Sequence, residues 1–432
     1  MPARWFCLPH LLLRSWPAGA IWLMLWGLLS LWGTNVQAQP TEELPFRFED
    51  PRRRHIRLPF EFQRNLIIVR VSLNGLGPYN FLLDTGVGTS LITDPSLVAP
   101  LQLRRGEVFR VSGVGEESPL EAYLSDSVRV TLPGIVAPSL SFLVLSSDVL
   151  NLSGYVGMPV HGILGYDVFR SFVVEVEPST AELVLHSPAR YRPPRGRRWA
   201  QIPLVLQRRK AYLTVPVNVT DSLALPLKLV LDTGAGHALS IETNSDPRLR
   251  VPPERLRTQL GRGLSGIING YLGRVSSMQL GQYHLNTLLT SFPDSTNGAL
   301  RADVPRNGNI GFELLKRFNL VIDYPHHALW LKPNRLFRDP FEHDMCGIDL
   351  LATGPNYRRY IILKIHPGSP AAAAGIRPDD ELLAINLLPT SNISLTEISR
   401  ILHSTNGRML FLLLRRSDGE LYTTQVKLQR QI

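Results

Sequence analysis

The chain has 432 residues, 44% of them hydrophobic and 19% charged, with 33 Gly and 34 Pro. This balance excludes a single small module, wholesale disorder and collagen, and the length suits two to four domains. Lys and Arg exceed Asp and Glu by 10, an excess spread along the chain and densest between Arg190 and Arg198. The two cysteines, Cys7 and Cys346, exclude disulfide and zinc-ribbon frameworks.

Arg4 and Arg14 precede a stretch from Ser15 to Thr41 that has no acidic or basic residue and is rich in Leu, Ile and Trp. The pattern predicts an export signal over residues 1–38, ending at the small residues of Val36-Gln37-Ala38. The alternative is an uncleaved anchor, because the apolar run approaches the length that spans a bilayer; membrane contact is expected only through such a segment. Export without disulfides fits a bacterial periplasm, the cell envelope or secretion. Residues 39–55 follow as an N-terminal segment.

The chain then repeats itself. Phe81-Leu82-Leu83-Asp84-Thr85-Gly86-Val87-Gly88 recurs 148 residues later as Leu229-Val230-Leu231-Asp232-Thr233-Gly234-Ala235-Gly236. Gly162-Ile163-Leu164-Gly165-Tyr166 recurs 146 residues later as Gly308-Asn309-Ile310-Gly311-Phe312, and each copy runs on into two short apolar strands separated by a turn. Apolar runs of four to eight residues, punctuated by Gly, Pro, Asn and Asp, predict two mainly β units over residues 56–187 and 200–336. The basic, Pro-rich tract 188–199 between them predicts an extended linker.

A third module, 343–432, carries different signals. Tyr360–Ile365 and Glu381–Asn386 read as strands, Ala371–Ala374 as a short helix ended by Gly375, and Ser394–Glu397 as a capping box. Leu395, Ile398, Ile401 and Leu402 then share one helix face. Met409–Leu414 and Leu421–Leu428 form a closing hairpin.

An Asp-Thr-Gly tripeptide arises by chance about once in several thousand positions, so one copy is a turn with a solvated Asp as readily as a site. Two copies in register point to chemistry. An apolar strand delivers the carboxylate at its end, glycine lets the backbone turn sharply, and the Thr hydroxyl can bond neighbouring backbone or the partner loop. With these residues the chain resembles the pepsin and retropepsin-like aspartic proteases, in which two such loops meet between homologous halves. The resemblance implies two β-barrel lobes, Asp84 and Asp232 as the catalytic pair, and Thr85, Gly86, Thr233 and Gly234 as their supporting loops. It further implies that Ile163-Leu164-Gly165 and Ile310-Gly311 thread beneath the site. Asn309 and Val87 depart from the family pattern. The expected chemistry is hydrolysis of peptide bonds by a water activated between two carboxylates that share one proton, with no cofactor and no metal.

Substrate-covering hairpins are expected at Gly113 and Gly115 in the first unit and at Gly263 and Gly266 in the second. Gly261–Gly266 also matches a dinucleotide motif, but no strand precedes it and no βαβ unit follows. His237 reads as a polar residue on a surface turn, and His326-His327 as solvated turn residues. The arginine-rich linker lacks the interleaved aromatics of a nucleic-acid site and reads as solvated spacer, so no nucleic-acid partner is expected. No Gly-x-Ser-x-Gly elbow is present.

The third module resembles a PDZ domain of the kind appended to bacterial envelope proteases, through Gly368–Ile376 and Asp379–Asn386. That resemblance implies a loop, Cys346-Gly347-Ile348-Asp349, whose Gly347 and Ile348 N–H groups receive a peptide C-terminus while the peptide adds as a strand. Asp349 is placed to oppose that carboxylate, and Asp379 stands where the family has glycine. The expected partners are peptide or protein substrates and a C-terminal peptide ligand. The whole reads as an exported aspartic endopeptidase with a peptide-binding module. The rival from another class is a non-catalytic envelope scaffold that retains the double lobe as a relic; pairing of like lobes between chains is a third reading.

Overall fold

The computed structural model describes residues 44–111, 120–263, 266–294 and 304–432. The expected targeting segment 1–38 and the flap glycines Gly113 and Gly115 lie outside them.

The described chain is mostly strand, as its short β-branched and aliphatic runs require. In the first half Leu66–Leu73 and Leu76–Leu83 form a hairpin. Leu76–Leu83 also pairs in parallel with Gly162–Leu164, Phe81 facing Gly162 and Leu83 facing Leu164. The second half has the same arrangement in a separate sheet: Lys210–Thr220 pairs with Leu223–Leu231, which pairs in parallel with Gly308–Ile310, Leu231 facing Ile310. In both sheets the aspartate stands one residue past the parallel pairing.

A further sheet has six strands in the order Ala200–Pro203, Ala328–Pro333, Phe318–Asp323, Val173–Glu177, Glu182–His186 and His55–Pro59. Its centre pairs Val174 with Ile322 and Val176 with Leu320. The two short hairpins read from the sequence therefore close on each other. Either alone would be a two-stranded ribbon of marginal stability with open edges. One apolar core runs through both halves, from Phe46 and Phe81 to Leu231, Phe318 and Phe341.

The tract between the halves is less free than a spacer. Pro188–Arg190 forms a 3-10 turn, Arg190 donates to the Arg52 carbonyl at 2.8 Å, the Tyr191 ring lies 5.0 Å from that of His186, and Gln282 donates to the Arg197 carbonyl at 3.0 Å.

The C-terminal sheet has the order Ile348–Thr353, Arg359–Ile365, Glu381–Ile385, Met409–Arg415 and Leu421–Lys427, around its own core. Helix Leu395–Leu402 begins with the expected capping box of Ser394 and Glu397 and buries Leu395, Ile398 and Leu402. Asp379 adopts a left-handed φ of 67°, which accounts for glycine being usual there. Ile348–Thr353 pairs only with Arg359–Ile365 among the described residues, so one edge of the sheet is left to other parts of the chain.

Candidate active site

The two Asp-Thr-Gly loops interlock. The Thr85 N–H donates to Thr233 Oγ1 and the Thr233 N–H to Thr85 Oγ1, each at 3.0 Å. The hydroxyls continue the exchange, Thr85 to the Leu231 carbonyl at 2.7 Å and Thr233 to the Leu83 carbonyl at 2.9 Å. Both threonines are buried, so each donor and acceptor would be costly to leave unpaired; the loops satisfy each other.

This exchange brings Asp84 and Asp232 together. Asp84 N–H donates to the Leu164 carbonyl at 2.9 Å and Asp232 N–H to the Ile310 carbonyl at 3.0 Å, which fixes each aspartate at the end of its strand. A Cβ built on Gly86 would stand 3.0 Å from an oxygen of both carboxylates, and one on Gly234 would stand 2.2 Å from Asp84 Oδ2. A larger residue at Gly234 would collide with Asp84, and one at Gly86 would crowd both carboxylates. Their N–H groups donate back, Gly86 to Asp84 Oδ1 at 2.6 Å and Gly234 to Asp232 Oδ1 at 3.1 Å.

The segments after Gly162 and Gly308 run against the two loops. The N–H after Gly165, on Tyr166, donates to the Val87 carbonyl at 3.0 Å, and that after Gly311, on Phe312, donates to the Ala235 carbonyl at 2.7 Å. Ile163, Leu164 and Ile310 are buried. Tyr324, from the turn of the six-stranded sheet, is buried below the loops with its hydroxyl 3.4 Å from the Thr85 carbonyl.

Burial first, and then the charge of Asp232, push the Asp84 carboxyl up to about 8, against the smaller opposing effects of the Gly86 N–H and Lys210. The direction follows from placing a buried carboxyl beside a second carboxylate, which makes ionisation of Asp84 costly.

His237 is not a free surface residue, as its place in the sequence suggested. Its Nε2 lies 3.2 Å from Asn309 Oδ1, and Asn309 Nδ2 donates to Asp232 Oδ2 at 2.7 Å. The departure of Asn309 from the family pattern was visible in the sequence; its pairing with His237 was not, because 72 residues separate them. His326 caps its own hairpin turn, its Nδ1 2.7 Å from Asp323 Oδ1.

Gly263 and Gly266 face each other at the tip of a hairpin of Arg255–Gly263 and Gly266–Leu280. A dinucleotide loop would instead open a helix.

The C-terminal loop departs from expectation. The N–H groups of Cys346, Gly347 and Ile348 all donate to the carboxylate of Asp344, those of Cys346 and Ile348 at 3.2 and 2.8 Å. Gly347 and Ile348 therefore offer no free N–H to a peptide C-terminus, because a carboxylate three residues upstream already fills the loop. Asp349 Oδ1 lies 3.3 Å from His366 Nε2 without a formed hydrogen bond. Helix Leu152–Val156 of the first half packs beside the strand Ile348–Thr353: a Cβ on Gly154 would lie 2.8 Å from Leu351 Cδ1, and one on Gly157 2.9 Å from Leu395 Cβ. The Arg64–Asn65 turn joins this contact to the second Asp-Thr-Gly loop. Arg64 Nη1 donates to Ser399 Oγ at 2.7 Å, and the Asn65 amide donates to the Gly236 carbonyl at 3.0 Å.

Residues 69–168 match the family model described as an aspartyl protease, and residues 361–416 match that of a PDZ domain. The first match spans Asp84 and the Ile163–Gly165 segment; Asp232 lies beyond it and joins the site through the interlocked loops. The chain is thus mostly β, with one segment similar to aspartyl proteases and one similar to PDZ domains. No curated protein matches the chain. Among solved structures, a photosystem II D1 C-terminal processing protease is similar at 21% identity over 20% of this chain, with a TM-score of 0.19. The chain covers 23% of that protein's length.

Proposed function

We propose that the protein is an exported aspartic endopeptidase in which Asp84 and Asp232 of one chain form a single catalytic dyad. The observation that carries this reading is the reciprocal Thr85–Thr233 exchange, which holds two carboxylates against each other at the ends of two strands. A water bound between them loses a proton to the ionised carboxylate as it attacks the peptide carbonyl, while the protonated carboxyl gives its proton to the carbonyl oxygen. The resulting tetrahedral carbon collapses with transfer of a proton to the leaving nitrogen, and the dyad again holds one proton. The Gly86 and Gly234 N–H groups hold the carboxylates in place through both steps. Two intact loops at this spacing favour the enzyme over a scaffold that retains a relic.

The PDZ domain is proposed to serve recognition of protein substrates or partners, through contacts that do not depend on the N–H groups of Gly347 and Ile348. The test is digestion of a peptide library by the purified mature protein across pH, with and without a statine-type transition-state inhibitor. Cleavage blocked by the inhibitor is expected; no cleavage at any pH by folded protein would remove the enzyme reading.

A further inference from the structure

We infer that Asn309, locked by His237, is a positioning residue that makes the dyad unequal: it holds Asp232 as the carboxylate and leaves Asp84 as the member that carries the proton. The catalytic consequence rests on the aspartic-protease reading above; the placement of the proton does not.

The argument starts from what each group can do. A carboxyl accepts most strongly when ionised, and the NH2 of an asparagine only donates, so the bond from Asn309 Nδ2 to Asp232 Oδ2 at 2.7 Å favours the charged form of Asp232. The amide's other end, Oδ1, lies 3.2 Å from His237 Nε2. Oδ1 can only accept, which places the imidazole proton on Nε2. Turning the amide over would set its oxygen against the carboxylate, so the carboxylate fixes the orientation and the histidine tautomer follows from it. With the Gly234 N–H on Oδ1, both oxygens of Asp232 accept hydrogen bonds.

Asp84 lacks this support. The residues in the matching places of the first half are Thr89 and Ile163, and an isoleucine side chain donates nothing. Among the described residues no side chain donates a hydrogen bond to Asp84, which receives the Gly86 N–H and a weaker effect of the Gly234 N–H, both outweighed by burial.

The other titratable groups that act on the pair do not reverse the assignment. Lys210 favours the ionised form of Asp84, but burial outweighs it. Tyr324, below the loops, has its hydroxyl held well above its ordinary range by burial, and so is neutral. His237 is kept toward its neutral form by burial, with Asp232 opposing. A hydrogen bond to a charged group that is present on one aspartate and absent from the other decides between two otherwise matched carboxyls. In the proposed reaction Asp232 is then the base toward water and Asp84 the acid toward the carbonyl oxygen.

The test uses full-length protein with 13C-labelled aspartate carboxyls, followed by NMR through a pH titration. Asp84→Asn and Asp232→Asn variants assign the two signals. In Asn309→Ile, which installs the first half's residue, the Asp232 carboxyl is expected to hold its proton to a pH about 1–2 units higher than in the parent. His237→Phe, which removes the lock and keeps the ring's bulk, is expected to give a smaller shift in the same direction, and His237→Gln, which retains an N–H donor, less than either. A side chain that merely fills space would not move the titration. An Asp232 signal that titrates unchanged in both Asn309→Ile and His237→Phe would overturn the inference. Peptide cleavage by the parent protein is scored separately: absent cleavage with a shifted titration defeats the protease reading alone, and cleavage with an unshifted titration defeats this inference alone.

Discussion

The main-chain N–H of Arg64 donates to the hydroxyl of Thr396 at 2.9 Å, and that hydroxyl donates in turn to Gln63 Oε1 at 2.6 Å. A turn of the first half is thereby tied to the PDZ helix Leu395–Leu402, while the next residue, Asn65, holds the carbonyl of Gly236 two residues past the second Asp-Thr-Gly. Thr396→Val removes the hydroxyl and keeps the shape, leaving the Arg64 N–H without its acceptor. The expected cost is about 1–3 kcal/mol at that contact, measured as faster hydrogen exchange in residues 395–402 and 63–66 with the central strands unaffected. Uniform exchange change across the chain would contradict a local tie.

The loop filled by Asp344 predicts how the PDZ domain treats free peptide C-termini. Fluorescence anisotropy with a labelled peptide ending in a free carboxylate is expected to show no saturable binding to the parent chain. Asp344→Ala strips the acceptor from three N–H groups and is expected to lose about 1–3 kcal/mol of stability, part of it restored by such a peptide. Saturable binding to the parent would show that Asp344 leaves the loop readily.

Asp84→Asn and Asp232→Asn each remove one half of the dyad and are expected to lower turnover of a peptide substrate by about 10²–10⁴-fold or more. Mixing the two folded variants is expected to restore nothing, because the threonine exchange that aligns the pair is made within one chain. Activity in the mixture would instead mean that the dyad forms between chains.

Asp84 also sets a pH dependence. Its carboxyl is raised from 3.8 to about 8, chiefly by burial. Between those values the folded chain binds this proton more tightly than the unfolded chain, so the group favours folding most below about pH 4 and its contribution falls as pH rises to about 8. Asp84→Asn should therefore raise Tm relative to the parent at pH 8 and change it little at pH 4. Peptide cleavage by the parent should decline as pH passes about 8, where the pair loses its shared proton. Equal Tm differences at the two pH values would rule out the linkage.

Two histidines act in the opposite sense. Burial lowers His403 from 6.5 to about 3, with Arg64 next in effect, and lowers His343 to about 4, with His366 next. Folded protein keeps both neutral where the unfolded chain takes up protons, so their contribution is whole above about pH 6.5 and is lost as pH falls toward 3. His403→Gln should reduce the loss of stability between pH 6.5 and 4 in urea unfolding. An identical pH slope in the variant would exclude His403 as a cause.

The sequence alone determined the strand-rich class, the two loops and the residues after them, because these are local: an apolar run makes a strand, glycine makes the turn, and a repeat at one spacing marks equivalent positions. Ser394 and Glu397 announced their helix for the same reason, since a capping box lies within four residues. Tertiary structure decided what depends on residues far apart in the chain. Nothing in the spacing of Val174 and Ile322 says that two hairpins will join in one sheet, because a strand edge pairs with whatever edge the fold brings to it. Nothing local marks Asp344 as the residue whose carboxylate the chain curls into the Cys346–Ile348 loop. His237 looked exposed because a loop histidine usually is, and only the parallel pairing that carries Asn309 past Asp232 gave its ring a partner. Hydrogen bonds act over about 3 Å, so a partner 72 residues away along the chain is chosen by the fold.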